Sequence, residues 1–183
     1  MNTGRISVRY AKALYELASE KKSAKEIYDH SLVVSNIIES SSDLYQILHN
    51  PVILVSEKEK ILNNILASKV NPILGSFITL MVKKRRESYI INALLVYRKI
   101  YREKAGMVKV VIETPAELAD ETKNSILEFV KKKFNKTPEL EVKKTPELIG
   151  GFIVEVEGLL IDLSVSGQLA TIKKALIQNQ RVL

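Results

Sequence analysis

Asp162 and Ser164 stand two residues apart, and four of the chain's seven glycines, Gly150, Gly151, Gly158 and Gly167, surround them. A carboxylate and a hydroxyl among glycines could form a nucleophile with its acid partner, or a phosphate cradle. The other parts of such sites are missing. The only histidines, His30 and His49, lie far away in sequence. Gly150, Gly151 and Gly167 fit the spacing of neither a Walker A loop, a dinucleotide fingerprint nor a nucleophile elbow. Neither His has a second His at helical ligand spacing. Zero cysteines exclude disulfides, thiolate metal sites and a Cys nucleophile. Asp162 and Ser164 are therefore expected to close a turn or cap a helix, and the glycines to form turns.

The densest basic run is Lys83-Lys84-Arg85-Arg86. It could neutralise phosphates. Only Tyr89 stands close enough in sequence to stack a base, and the run falls where a helix should end, where cations favour the dipole. Lys131-Lys132-Lys133 is a second, plainer example. Charge is unevenly placed along the chain. Residues 1–105 carry 17 Lys and Arg against 10 Asp and Glu, whereas residues 106–183 carry 11 of each. A basic half suits nucleic acid, an anionic membrane or an acidic partner, but a solvated surface is the preferred reading.

The first half reads as helices. Tyr10, Ala13, Leu14 and Leu17, three and four apart, predict an apolar face on a helix over Arg5 to Lys21. Its alanines keep it slim enough for another helix to lie close. Ser23 is expected to cap a second helix with Ile27, Val34 and Ile38 inward. Asp43 with Gln46 opens a short third helix that stops at Asn50-Pro51. Ser56 and Glu59 have capping-box spacing for a fourth. Asn71-Pro72 starts a fifth, with Leu74, Phe77, Ile78, Met81 and Val82 inward. Ser88 is expected to cap a sixth, with Ile91, Leu94, Leu95, Arg98 and Tyr101, ending at Gly106. Six amphipathic helices with short connections predict an antiparallel bundle over 1–105.

The pattern changes at Gly106. Met107 to Glu113 is β-rich, and Asp120 is expected to cap a helix reaching Phe134. Leu140 to Lys143 alternates like a strand, as do Phe152, Val154 and Val156. Glu157-Gly158 makes a tight turn into a strand over Leu159 to Val165. Ser166 is expected to cap a last helix with Leu169, Ile172, Leu176 and Ile177 inward. The fold class is thus mainly α, a helical bundle followed by a small β-α-β-β-β-α domain over 106–183. No apolar run reaches the roughly 18 residues that cross a bilayer, and Met1 to Arg5 begins no signal core.

Two stretches resemble the delta subunit of F-type ATP synthases, the family of the oligomycin-sensitivity-conferral protein. One is Arg9-Tyr10-Ala11-Lys12-Ala13-Leu14-Tyr15-Glu16-Leu17-Ala18. The other runs from Ile149-Gly150-Gly151 through Ile161-Asp162-Leu163-Ser164-Val165 to Gly167 and Leu169. Asn50-Pro51 with Glu59-Lys60, and the region Lys84 to Arg86, follow the same pattern. There are departures: Leu163, Ser166 and Gln168 replace a Gly and basic residues, Glu157-Gly158 replaces a Gly-Asp turn, and Arg85 stands where a Gly is common.

The resemblance implies a non-catalytic stator subunit without a cofactor, a metal or a small-molecule substrate. It couples proton-driven rotation to ATP synthesis by joining the catalytic head to the peripheral stalk. The first domain would grip N-terminal helices of the alpha subunits, with Tyr10, Ala13, Leu14, Leu17, Phe77, Ile78 and Met81 as contacts. The second would engage the b subunits through Gly150, Gly151, Asp162, Ser164, Gly167 and Leu169. Membrane association would come only through the complex. A first helix starting near Met1 leaves no transit peptide, so the expected location is the cytoplasmic face of a bacterial inner membrane. A basic nucleic-acid-binding adaptor is the alternative.

Overall fold

The structure is a computed structural model describing residues 3–66 and 69–179, with side chains for 4–66 and 69–173. It is mainly helical, with one small four-stranded mixed sheet. The chain divides into two compact units, Met1–Lys104 and Ala105–Leu183.

The first unit holds α1 (Thr3–Glu20), α2 (Ala24–Ser40), α3 (Ser42–His49), α4 (Val55–Leu66) and α5 (Pro72–Lys83). A 3-10 turn (Glu87–Tyr89) then leads into α6 (Ile90–Lys104). Ile27, Ile38, Leu74, Ile78, Met81, Leu94 and Tyr97 are fully buried at its centre. Each such aliphatic side chain contributes about 1.5–3 kcal/mol. Tyr97 buries its ring and donates its hydroxyl to the Ala24 carbonyl at 2.9 Å, so no polar group is orphaned there.

The inward stripe of α1 is rotated from the expected one. Ser7, Ala11, Leu14 and Ala18 are buried, whereas Ala13 and Leu17 are exposed and Tyr10 is half-buried. Small residues win the inner face because α1 packs on α6, and Ala11 and Ala18 let the backbones approach. On α6, Leu95 is exposed, and Tyr97 takes the core position instead.

The helix ends also differ from expectation in several places. Ser23 makes no capping bond. Lys22 instead ends α1 in the left-handed region, and its neighbour Ser23 donates its amide to Ala18 O at 2.9 Å. Ser41, not Asp43, caps α3 by accepting from the Leu44 amide. α4 starts at Val55, ahead of Ser56, because the Leu54 carbonyl takes the Glu57 and Lys58 amides. The Ser56–Glu59 capping box is thereby pre-empted. The 3-10 turn displaces Ser88 as a cap. Asn71 caps α5 as expected, accepting from Ile73 at 2.9 Å, and Pro72 opens the helix.

The second unit runs β1 (Met107–Thr114), α7 (Asp120–Phe134), β2 (Thr137–Lys144), β3 (Ile153–Val156), β4 (Leu159–Asp162) and α8 (Val165–Asn179). Sheet order is β2-β1-β3-β4, with β1–β2 parallel and the other pairs antiparallel. The register puts Val110, Ile112, Val154, Val156 and Ile161 on one face. Val130 of α7 is buried against that cluster. Asp120 lies inside α7, and Ala119, at the cap position, offers no side chain to the helix amides. Glu157 and Gly158 both have positive φ (51° and 82°), as a two-residue hairpin of the primed type requires. The edge strand β2 is dense in Glu, Lys and Pro, which discourages pairing with another chain. The other edge, β4, is not so protected.

Candidate functional site

Two surfaces carry the residues singled out by sequence. On the first unit, Tyr10, Ala13 and Leu17 form an accessible apolar seam along α1, continued by half-buried Ile6. Leu14, Phe77, Ile78 and Met81, assigned above to partner contacts, are only 2, 8, 1 and 0% exposed. They belong to the buried core of the first unit, with Phe77 directly against Tyr10, so a partner would meet the seam first. Periodicity put these residues on the apolar faces of two helices, and the resemblance assigned all seven to one partner; only packing separates core from surface.

Tyr10 is the fixed point of this seam. Its ring meets Phe77 edge-on with centroids 6.2 Å apart. Arg86 donates to its hydroxyl at 2.7 Å. The Arg9 and Arg86 guanidiniums lie 5.7 and 5.4 Å from its ring, within cation–π range. The basic run after α5 is thus partly spoken for, since Arg86 serves Tyr10 and Lys84 closes the helix.

Arg85 completes that helix end. Its φ is 53°. The Arg86 amide reaches Met81 O at 2.8 Å, and the Arg85 amide reaches Val82 O at 2.9 Å. This bond pair requires a left-handed residue, usually Gly, at position 85. A non-Gly residue there costs about 1–2 kcal/mol. Arg85→Gly is therefore expected to stabilise the first unit by about 1 kcal/mol after Gly's unfolded-state entropy is counted. Chemical denaturation reads this as a higher midpoint with unchanged slope.

On the second unit, the glycine-rich signature forms one corner between β4 and α8. Ser164 is 1% exposed. Its hydroxyl accepts from the Gly167 amide at 3.0 Å, and its carbonyl takes the Gln168 amide at 3.0 Å. Ser164, not Ser166, is thus the cap of α8, and β4 stops at Asp162 to allow it. Asp162 Oδ1 accepts from the Ser164 amide at 2.8 Å. At Gly167 a Cβ would stand 2.7 Å from the Asp162 carboxyl carbon. Gly151, at φ 75°, lies directly against the Leu163–Ser164 backbone. Gly150 O accepts from Val165 N at 3.0 Å. Five of the six residues assigned to the stalk therefore hold this corner together.

The Ser164 hydroxyl and amide hold the Asp162 carboxyl below its ordinary value of 3.8. A lowered carboxyl contributes stability above the unfolded value and loses it as pH falls through the folded one. Asp162→Asn is expected to differ from the parent by a constant amount above about pH 5. The gap should narrow below the ordinary value. Denaturation midpoints from pH 7 to pH 3 measure it.

The sixth residue, Leu169, is 57% exposed. Ile172, also expected inward, is 55% exposed, and the side chains of Leu176 and Ile177 lie outside the described residues. Leu160, Leu163 and Val165 are also exposed, and so is Leu159, on the sheet face opposite Leu160 that turns toward α7. Beside it, α7 leaves the β3–β4 half of its sheet face uncovered. A cavity of about 380 Å³ opens there, lined by Ile126, Phe129, Phe152, Val154, Leu159 and Ile161. Sequence reasoning missed Leu159 and Leu160. A continuous apolar run does not say which side of a strand is covered.

Among the described residues no group of His, Asp or Glu could hold a metal ion. No described helix is long and apolar enough to cross a membrane. His30 Nδ1 accepts from the Asn71 amide at 2.9 Å, and His49 Nδ1 donates to Tyr45 O at 2.8 Å.

Residues 6–176 match the family described as ATP synthase delta (OSCP) subunit. "ATP synthase subunit delta" of Clostridium botulinum is 34% identical over 172 residues, covering 94% of this chain and 96% of the relative. The Desulforamulus reducens protein of the same name is 32% identical over 177 residues, covering 97% and 98%. A chain in the cryo-EM structure of the Toxoplasma gondii mitochondrial ATP synthase hexamer has the same fold. Its TM-score is 0.72 at 20% identity, with 93% of this chain and 97% of that chain covered. With both terminal signatures and nearly the whole length matched, the chain belongs to the ATP synthase delta (OSCP) subunit family.

Proposed function

We propose that this chain is the static link between the catalytic head and the peripheral stalk of an F-type ATP synthase. It is a structural subunit and catalyses nothing itself. The observation carrying the proposal is an apolar seam, with Ala13 and Leu17 exposed and Tyr10 half-buried, within the arginine-tyrosine-alanine signature of a family member. A seam of this kind takes the apolar face of an amphipathic helix. The N-terminal helix of an alpha subunit is the partner we assign to it, with the six helices acting as an antiparallel bundle. The β-α-β-β-β-α domain would receive the b subunits on Leu163, Val165, Leu169 and Ile172. The complex would hold the chain at the cytoplasmic face of a bacterial inner membrane.

Titrating the full chain with an alpha-subunit N-terminal peptide tests the first contact. Saturable binding that weakens at least tenfold in Ala13→Arg is expected, since a long cation would stand in the seam while the core residues stay untouched. No binding at high micromolar peptide would sink the head-gripping role.

A further inference from the structure

The charges on α1 are arranged against the helix's own interest. At 3.6 residues per turn, Arg5, Arg9, Lys12, Glu16 and Glu20 fall on one flank of the Ile6-Tyr10-Ala13-Leu17 seam. All five are exposed. Their sign reverses between Lys12 and Glu16. A helix N-terminus favours carboxylates and a C-terminus favours cations. Here the first turn holds no acidic residue and the last turn no basic one. Lys21 and Lys22, exposed just past Glu20, supply cations at the C-terminus, but Arg5 and Arg9 at the N-terminus still oppose the dipole, so helix stability does not account for the order on this flank. Arg86 strengthens the basic end, because its guanidinium sits against the Tyr10 ring and hydroxyl. From Arg5 to Glu16 the helix rises about 16 Å. That exceeds the Debye length of about 8 Å at physiological salt, so a partner meets the two ends as separate fields.

We propose that this reversal fixes the direction in which a partner helix lies on α1. The helix end beside Tyr10 carries carboxylates, which face Arg5, Arg9 and Arg86. The end beside Leu17 carries cations, which face Glu16 and Glu20. The proposal rests on the seam-docking role above and specifies its partner further. Like charges set opposite each other in the reversed direction disfavour it, so orientation is selected by repulsion as well as by attraction.

The test uses the full chain and two amphipathic peptides with one shared apolar seam. One has an acidic N-terminal half and a basic C-terminal half; the other has the halves exchanged. Each carries a nitroxide label at its N-terminus. Paramagnetic broadening of amide signals then reports where that terminus lies. The acid-first peptide is expected to broaden amides around Tyr10, and the base-first peptide those around Leu17. A variant with Arg5→Glu, Arg9→Glu, Glu16→Lys and Glu20→Lys should exchange the two patterns. These substitutions are on exposed positions and agree better with the helix dipole, so the variant folds. If both peptides broaden the same end, or both ends equally, charge order does not set direction and the proposal fails while docking stands. If neither peptide binds, the docking role itself fails.

Discussion

Gly151→Ala is expected to destabilise the second unit by about 3–4 kcal/mol, from left-handed strain and steric overlap together. The residue has φ 75°, and a Cβ there would overlap the Leu163 carbonyl and stand 2.9 Å from Ser164 Cα. Both obstacles are backbone, so no rotamer change relieves them. The strands cannot separate locally either, because Leu163 N bonds Phe152 O and Val165 N bonds Gly150 O, both at 3.0 Å. Native-state hydrogen exchange should show lost protection over 153–165, with the first unit unchanged. Gly167→Ala is the milder comparison, since the Asp162 carboxylate can swing aside. Equal effects of the two substitutions would mean that backbone approach at 151 is not the cause.

Lys58→Ala is expected to destabilise the first unit by about 3–5 kcal/mol, because it strands a buried carboxylate. Lys58 is 2% exposed. Its ammonium pairs with Glu87 and donates to Leu48 O at 2.7 Å. The Leu48 carbonyl belongs to the last turn of α3, whose acceptors have no helical partner. One side chain thus joins α4, the end of α3 and the 3-10 turn that precedes α6. Glu87 Oε2 is itself buried without a hydrogen bond among the described residues, so losing the lysine would leave both oxygens uncompensated. The double change Lys58→Met with Glu87→Gln removes both charges and should recover most of the loss. A loss under 1 kcal/mol for Lys58→Ala in urea denaturation would show that the pair is solvated.

Lys58 also shows where sequence reasoning stops. A lysine between two glutamates in a capping-box spacing reads as surface, and nothing local reveals a partner 29 residues away. The helices themselves were legible, because their apolar spacing repeats over several turns. The apolar faces of α2 and α5 were legible for the same reason: Val34, Leu74 and Met81 sit inside as their periods require. The stripe of α1 was harder. Ala11 and Ser7 take the inner face through close packing, which hydrophobicity alone ranks below Leu17. The Ser56 cap failed because the Leu54 carbonyl took the Glu57 and Lys58 amides, the Ser88 cap because that residue lies inside the 3-10 turn, and Ser23 makes no side-chain cap bond. The corner at Asp162-Ser164-Gly167 was legible as architecture and not as chemistry. The Ser164 hydroxyl is engaged by the Gly167 amide and its neighbours, and the Asp162 carboxylate is fixed on the Ser164 amide, so both groups hold the corner.

The two interiors are separate. Twenty buried hydrophobic residues form one cluster in the first unit and six form another in the second, among the described residues. No described residue belongs to both. Close-packed side chains transmit strain through the interior they fill, so a disturbance of one cluster stays within its unit. In the proposed link, one grip would then fail without loosening the other.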